Sequence, residues 1–137
     1  MIHLSKQAGA KLGLKGGGSK YGVRTDKLGK MGRTIDGFVF DSQKEADVYC
    51  QLKIRERLGE ILGLCADKKH LTFELNVGKV HICNYEADFS FWEKRYTGLE
   101  CQGIDWRVID VKGCKTREYI MKKRLMKAIW NIDIQEV

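Results

Sequence analysis

Proline is absent from this 137-residue chain, and no apolar run approaches the roughly 20 residues that span a bilayer. The missing proline excludes no fold by itself. The missing apolar run excludes a helical membrane span and the apolar centre of a secretory signal, so the sequence reads as a soluble, cytoplasmic protein. CxxC pairs are lacking too. The five cysteines, Cys50, Cys65, Cys83, Cys101 and Cys114, are scattered, and an odd number without framework spacing argues against a secreted disulfide scaffold. They read as small buried apolar residues or surface thiols. Histidine is scarce. His81 and Cys83 alternate on a predicted strand, but no second ligand pair accompanies them, which argues against a zinc site. Gly16-Gly17-Gly18-Ser19-Lys20 is not a phosphate-binding loop, because its Lys follows the Ser and no strand precedes it. No internal repeat is visible.

What is present is positive charge in one place. Residues 1–33 hold eight Lys or Arg and one acid, Asp26, which accounts for the whole net charge of +7. The remaining residues are balanced. The chain therefore divides into a basic, Gly-rich N-terminal arm (1–33) and one domain (34–137). A basic arm on a balanced domain suits a polyanion such as nucleic acid, although a solubilising tail has the same composition.

The domain reads as α/β. Asp36-Gly37, between Thr34-Ile35 and Phe38-Val39-Phe40, predicts a two-residue hairpin turn. Asp41-Ser42 opens a helix, with Ser42 and Glu45 at capping-box spacing, and Gly59 ends it after Leu58. Strands are predicted at Ile61–Leu64, Leu71–Leu75, Val80–Cys83, Tyr85–Trp92 and Trp106–Val111, with Glu93–Asp105 as a polar loop. A second helix runs from Thr116 to about Trp130 on an apolar stripe of Met121, Leu125, Ala128 and Ile129. A last strand covers Ile132–Val137.

Chemistry concentrates at Asp110-Val111-Lys112. In a strand, residues two apart share a face, so Asp110 and Lys112 project together from the end of an apolar strand. A carboxylate there can hold a hard cation, and the amine can orient a water or offset phosphate charge. A strand-end salt bridge would explain the same pair. Asp88 is the candidate second acid if its strand neighbours this one, with Glu86 two residues earlier as its competitor. Glu45, on the first helix, is the third candidate, and it equally serves to cap that helix.

Glu45, Asp88 and Asp110-x-Lys112 in this order resemble the PD-(D/E)xK nucleases. Tyr85-Glu-Ala-Asp-Phe89 and Val108-Ile-Asp-Val-Lys-Gly113 look especially like phage resolving endonucleases, archaeal Holliday-junction resolvases and a related family of small phage proteins. Ala87 stands where the proline naming the motif would be. The resemblance covers about residues 19–137. It implies a restriction-endonuclease-like core, a central mixed β-sheet flanked by helices. It also implies that Asp88 and Asp110, with the Val111 carbonyl, ligate Mg²⁺ (Mn²⁺ substituting), and that Lys112 positions the hydrolytic water. Glu45 would complete the site or hold Lys112.

The expected function is then metal-dependent DNA hydrolysis on branched DNA, by a homodimer matched to the two-fold symmetry of a four-way junction. A nicking or restriction-type endonuclease, or a non-catalytic DNA-binding accessory protein, would use the same fold. Lys115, Arg117, Arg124 and Lys127 near the second helix, with Lys20 and Arg24 in the arm, are the candidate DNA contacts. A solvated basic helix face is the plainer alternative for the helical four. Trp92, Trp106 and Trp130 are assigned to packing or a dimer face.

Overall fold

Asp36 and Gly37 both take positive φ angles, 52° and 82°. That backbone suits the short polar Asp and the Cβ-less Gly, and it closes the hairpin of β1 (Thr34–Ile35) and β2 (Phe38–Val39) as the sequence predicts. The computed structural model describes residues 26–137. Its first element precedes this hairpin: Asp26 caps a short helix, α1 (Lys27–Gly32), accepting the Gly29 N–H at 3.1 Å. Arg33 is buried, and its Nε donates to the Phe40 carbonyl at 2.9 Å. The predicted arm therefore ends sooner than Arg33, because a capped turn and a buried arginine tie its last residues to the domain.

Ser42 caps α2 (Gln43–Arg57), its hydroxyl accepting the Glu45 N–H at 3.1 Å. One face of α2 buries Ala46, Val48, Tyr49 and Leu52. Next come β3 (Ile61–Cys65), a 3-10 turn (Lys68–His70), and a separate hairpin of β4 (Thr72–Val77) and β5 (Val80–Glu86). Then follow β6 (Phe89–Thr97), β7 (Glu100–Asp110), α3 (Arg117–Trp130) and β8 (Ile134–Glu136).

The main sheet has the order β3-β6-β7-β8. Its first two pairings are antiparallel and β7–β8 is parallel, with α3 as the crossover, so the sheet is mixed and flanked by helices. At one end both faces are covered, which is why Phe89-Ser90-Phe91 and Val108-Ile109-Asp110 are buried as continuous runs. On one face Phe89, Phe91 and Ile109 pack against α2, Phe40 and Ile61. On the other, Val108 and Ile134 pack against Tyr119 and Met126 of α3 and against Leu71, Leu75 and Tyr85 near the hairpin. Each such large side chain contributes about 1.5–3 kcal/mol by burial.

Three further expectations are corrected. Tyr85–Trp92 is not one strand: β5 ends at Glu86 and β6 begins at Phe89, with the Ala87 N–H turned to the Leu71 carbonyl at 2.9 Å. Glu93–Asp105 is not a loop but the long end of the β6–β7 hairpin, turned at Gly98 (φ 64°). A two-stranded ribbon with open faces needs no apolar alternation, and cross-strand ion pairs such as Arg95–Asp105 at 3.4 Å take its place. The buried face of α3 is Tyr119 and Met126, whereas Met121, Ala128 and Ile129 are exposed. The α3 stripe is set by where the hairpin lies, and Trp130 Nε1 donates to the Glu74 carbonyl at 3.0 Å. None of the five cysteines is buried, and all are free thiols. Among the described residues no helix is long and apolar enough to cross a membrane.

Candidate functional site

Four separated segments meet at the covered end of the sheet: the start of α2, the 3-10 turn, the entry to β6 and the exit from β7. They enclose a cavity of about 550 Å³ lined by Glu45, Lys68, Glu86, Asp88, Val111 and Lys112, with Asp41 and Lys44 at its side. All four residues expected to carry the chemistry are at this place. Glu45, Asp88 and Lys112 line the cavity, and Asp110 lies behind its wall in contact with Lys112.

Asp88 occupies the break between β5 and β6. Its N–H donates to the Ile109 carbonyl at 3.1 Å, and its Oδ2 accepts the Val111 N–H at 2.7 Å. Asp88 is thus fastened to both sides of Asp110. Its Oδ1 accepts from the Lys68 ammonium at 2.8 Å.

Asp110 is 1% exposed. Its Oδ2 accepts from the Tyr85 hydroxyl. Lys112 Nζ stands 2.7 Å from Oδ1, and this ion pair is the contact that balances the other buried oxygen. Burial pushes the Asp110 carboxyl above its ordinary range. The nearby Asp88 charge adds to that shift, while Lys112 and Tyr85 oppose it. Burial and the Asp110 charge likewise push the Tyr85 phenol up. The Lys112 ammonium also lies 4.5 Å from the centroid of the Tyr119 ring.

Glu45 is buried and fully used as a cap: Oε2 accepts the Asp41 N–H at 3.1 Å and Oε1 faces the Ser42 hydroxyl at 3.4 Å. Burial raises its carboxyl, and the Asp88 charge raises it further. The capping reading is therefore realised, on a residue that also faces the cavity.

Lys68 is the member that sequence reasoning missed. It sits in a polar 3-10 turn, where neither a motif nor a period singles it out. Burial works against its charge, but Asp88, with Glu45 and Glu86 beyond, outweighs burial and holds the ammonium above the usual lysine range.

The candidate DNA contacts are spread outside the cavity. Lys115 pairs with Glu136, and Lys127 pairs with Asp133 at 2.6 Å. Arg117 and Arg124 are exposed and form no ion pair among the described residues. Lys20 and Arg24 lie outside the described residues. His81 bonds Asn76 at 2.8 Å on the far hairpin.

The donor set can be tested against a hard divalent cation. Among the described residues, no three His, Cys, Asp or Glu side chains are gathered as a metal-holding group. Two hard carboxylates do meet here, Asp88 and the buried Asp110, close enough for each charge to act on the other, and Asp110 Oδ1 has the Lys112 ammonium as its contact. That chemistry fits Mg²⁺ or Mn²⁺ and not a soft metal.

Fold and site together define a mixed α/β protein with a carboxylate–lysine cavity at the end of its central sheet. The chain belongs to the family described as Protein of unknown function (DUF1064), which matches residues 20–135. It matches no curated protein and no solved structure.

Proposed function

We propose that the protein is a divalent-metal-dependent DNA endonuclease of the PD-(D/E)xK type, acting on branched DNA. One observation carries the reading: Asp88 and Lys112 line one cavity from the adjoining ends of two antiparallel strands, with Asp110 just behind its wall and Glu45 beside them. A core salt bridge alone has no need of a second carboxylate beside it or of an open cavity.

Asp88 and Asp110, with the Val111 carbonyl, are the residues to hold Mg²⁺ or Mn²⁺. When bound, the cation supplies Lewis acidity toward a phosphate oxygen and offsets the charge of the transition state. Lys112, held between Asp110 and the Tyr119 ring, donates to the attacking water and to a phosphate oxygen. Glu45 keeps the start of α2 in place and adds negative charge on the side facing Asp88. Water adds at phosphorus and the bond to the 3′-oxygen breaks, leaving a 5′-phosphate and a 3′-hydroxyl. Exposed Arg117 and Arg124, together with the basic N-terminal residues, offer the phosphate contacts.

A homodimer follows from the same reading. Leu62, Trp92 and Trp106 lie in one row across β3, β6 and β7, and the two tryptophans are 44% and 42% exposed. This row is the proposed contact between copies. A two-fold pair sets two cavities to cut opposing strands of a junction.

The test is a Mg²⁺-dependent cleavage assay comparing four-way junction, flap and linear duplex. The expected result is cleavage favouring the junction, abolished by Asp110→Asn with DNA binding retained. Equal rates on branched and linear DNA remove the junction preference and leave the nuclease. Binding without cleavage in Mg²⁺ or Mn²⁺ leaves only a DNA-binding accessory protein.

A further inference from the structure

Each central carboxylate has its own lysine. Lys112 pairs with Asp110, as their spacing along β7 implies, whereas Lys68 reaches Asp88 from a separate turn. The main chain of Lys68 is fixed, its carbonyl accepting from Leu71 N at 3.1 Å and from the Thr72 hydroxyl at 2.8 Å. Its ammonium stands 2.8 Å from Asp88 Oδ1, 3.3 Å from the Ala87 carbonyl and 3.7 Å from Glu86 Oε1.

Both oxygens of Asp88 already accept a hydrogen bond, so a cation there has to share one of them. Oδ2 is committed to the Val111 N–H at 2.7 Å, the bond that joins the two strands. Oδ1 faces the ammonium of Lys68. A divalent cation at Oδ1 would stand against the Lys68 ammonium, and the repulsion of like charges sets the two in competition there. The charge balance leaves room for both in the cavity: four acids and three lysines line it, and Asp110 behind the wall is a fifth acid. A divalent cation brings that set to neutrality with Lys68 still charged.

We propose that Lys68 is a tethered stand-in for the divalent cation at Asp88, one that yields Oδ1 when the cation arrives and turns its ammonium to a DNA phosphate in the cavity. This rests on the nuclease reading above and adds a phosphate-binding residue to it. The consequence is coupling. A cation frees Lys68 for phosphate, and phosphate draws Lys68 from Asp88. Each ligand therefore strengthens the other, reciprocally. Removing the ammonium removes both the competitor and a like charge beside the cation.

The experiment is calorimetric Mn²⁺ binding to the full chain, to Lys68→Met and to Asp88→Asn, each alone and with a duplex whose linkages resist hydrolysis. Thermal melting checks that each variant is folded. Lys68→Met is expected to bind Mn²⁺ on the order of tenfold more tightly than the wild-type chain, since a nearby positive charge is gone. DNA is expected to tighten Mn²⁺ binding in the wild type and to lose that effect in Lys68→Met. Mn²⁺ binding that Asp88→Asn abolishes but Lys68→Met leaves unchanged overturns the role of Lys68 while the metal site stands. Binding that ignores Asp88→Asn, or no binding at all, overturns both. A measurement free of variants is the nitrogen resonance of the Lys68 ammonium in the wild-type chain. Mg²⁺ is expected to shift it toward the position of a solvated lysine, and an unmoved resonance overturns the proposal.

Discussion

The Asp88 carboxylate accepts the Val111 N–H at 2.7 Å, so the acid that precedes β6 is fixed by the residue that follows β7. This bond closes the gap left where β5 and β6 part, and it holds Asp88 beside Asp110 without a continuous ladder.

Structural and chemical duties of Asp88 can therefore be separated. Asp88→Ala leaves the buried end of β7 with an unsatisfied N–H and is expected to lower unfolding free energy by about 1–3 kcal/mol. Asp88→Asn keeps an acceptor and is expected to lose less than half as much. Both are expected to lose cleavage. Urea unfolding of the two variants checks this, and equal losses would show that Asp88 does not hold the strand ends together.

Glu136 gives a pH dependence. Lys115 and Lys123, helped by the Tyr119 hydroxyl, hold its carboxyl down at about 2. A carboxyl lowered on folding stabilises the fold above its unfolded value near 4.5, and that contribution disappears as pH falls toward 2. Glu136→Gln is therefore expected to melt at a lower temperature than wild type near neutrality and at the same temperature near pH 2. A difference independent of pH would assign the effect to packing.

The basic N-terminal residues should be removed only as far as residue 25. Lys6, Lys11, Lys15, Lys20 and Arg24 precede that point, whereas Asp26 caps α1 and Arg33 holds Phe40. Deleting 1–25 is expected to weaken DNA binding and flatten its dependence on salt, by about 0.9 in log–log slope for every phosphate that is no longer neutralised. An unchanged slope in a salt titration would make these residues a solubilising tail.

The row at Trp92 and Trp106 tests the dimer. Serine at both positions is expected to give a monomer by sedimentation and to slow junction cleavage, with a lowered melting temperature because more than half of each tryptophan is covered and Trp106 packs on Phe73. A wild-type chain that sediments as a monomer, alone and on the junction, refutes the dimer.

The local signals were readable because their causes are local. Asp36-Gly37 forms its turn, Ser42 and Glu45 form their cap, and Asp110 and Lys112 meet because alternate strand residues share a face. Trp106–Val111 reads as a central strand, and β7 does lie between β6 and β8. What escaped depends on distant neighbours. The exposed end of the β6–β7 hairpin is mostly polar, with Tyr96, Leu99 and Ile104 open to solvent, and its lack of alternation resembles a loop. Which face of α3 is covered depends on where the β4–β5 hairpin packs. Lys68 reaches Asp88 across twenty residues, a pairing that no pattern in either segment announces.

The cavity drawn from four segments also bears on how the molecule comes to be. Glu45, Lys68, Asp88 and Lys112 are far apart in the chain, and their meeting needs α2 docked, the 3-10 turn formed and β6 paired with β7. Contacts of such separation close late, after the entropy of the intervening loops has been met. In a refolding experiment, cation binding is thus expected to return with the last phase of tertiary structure and not with the early hairpins. A half-folded copy carries the acids but not the cavity.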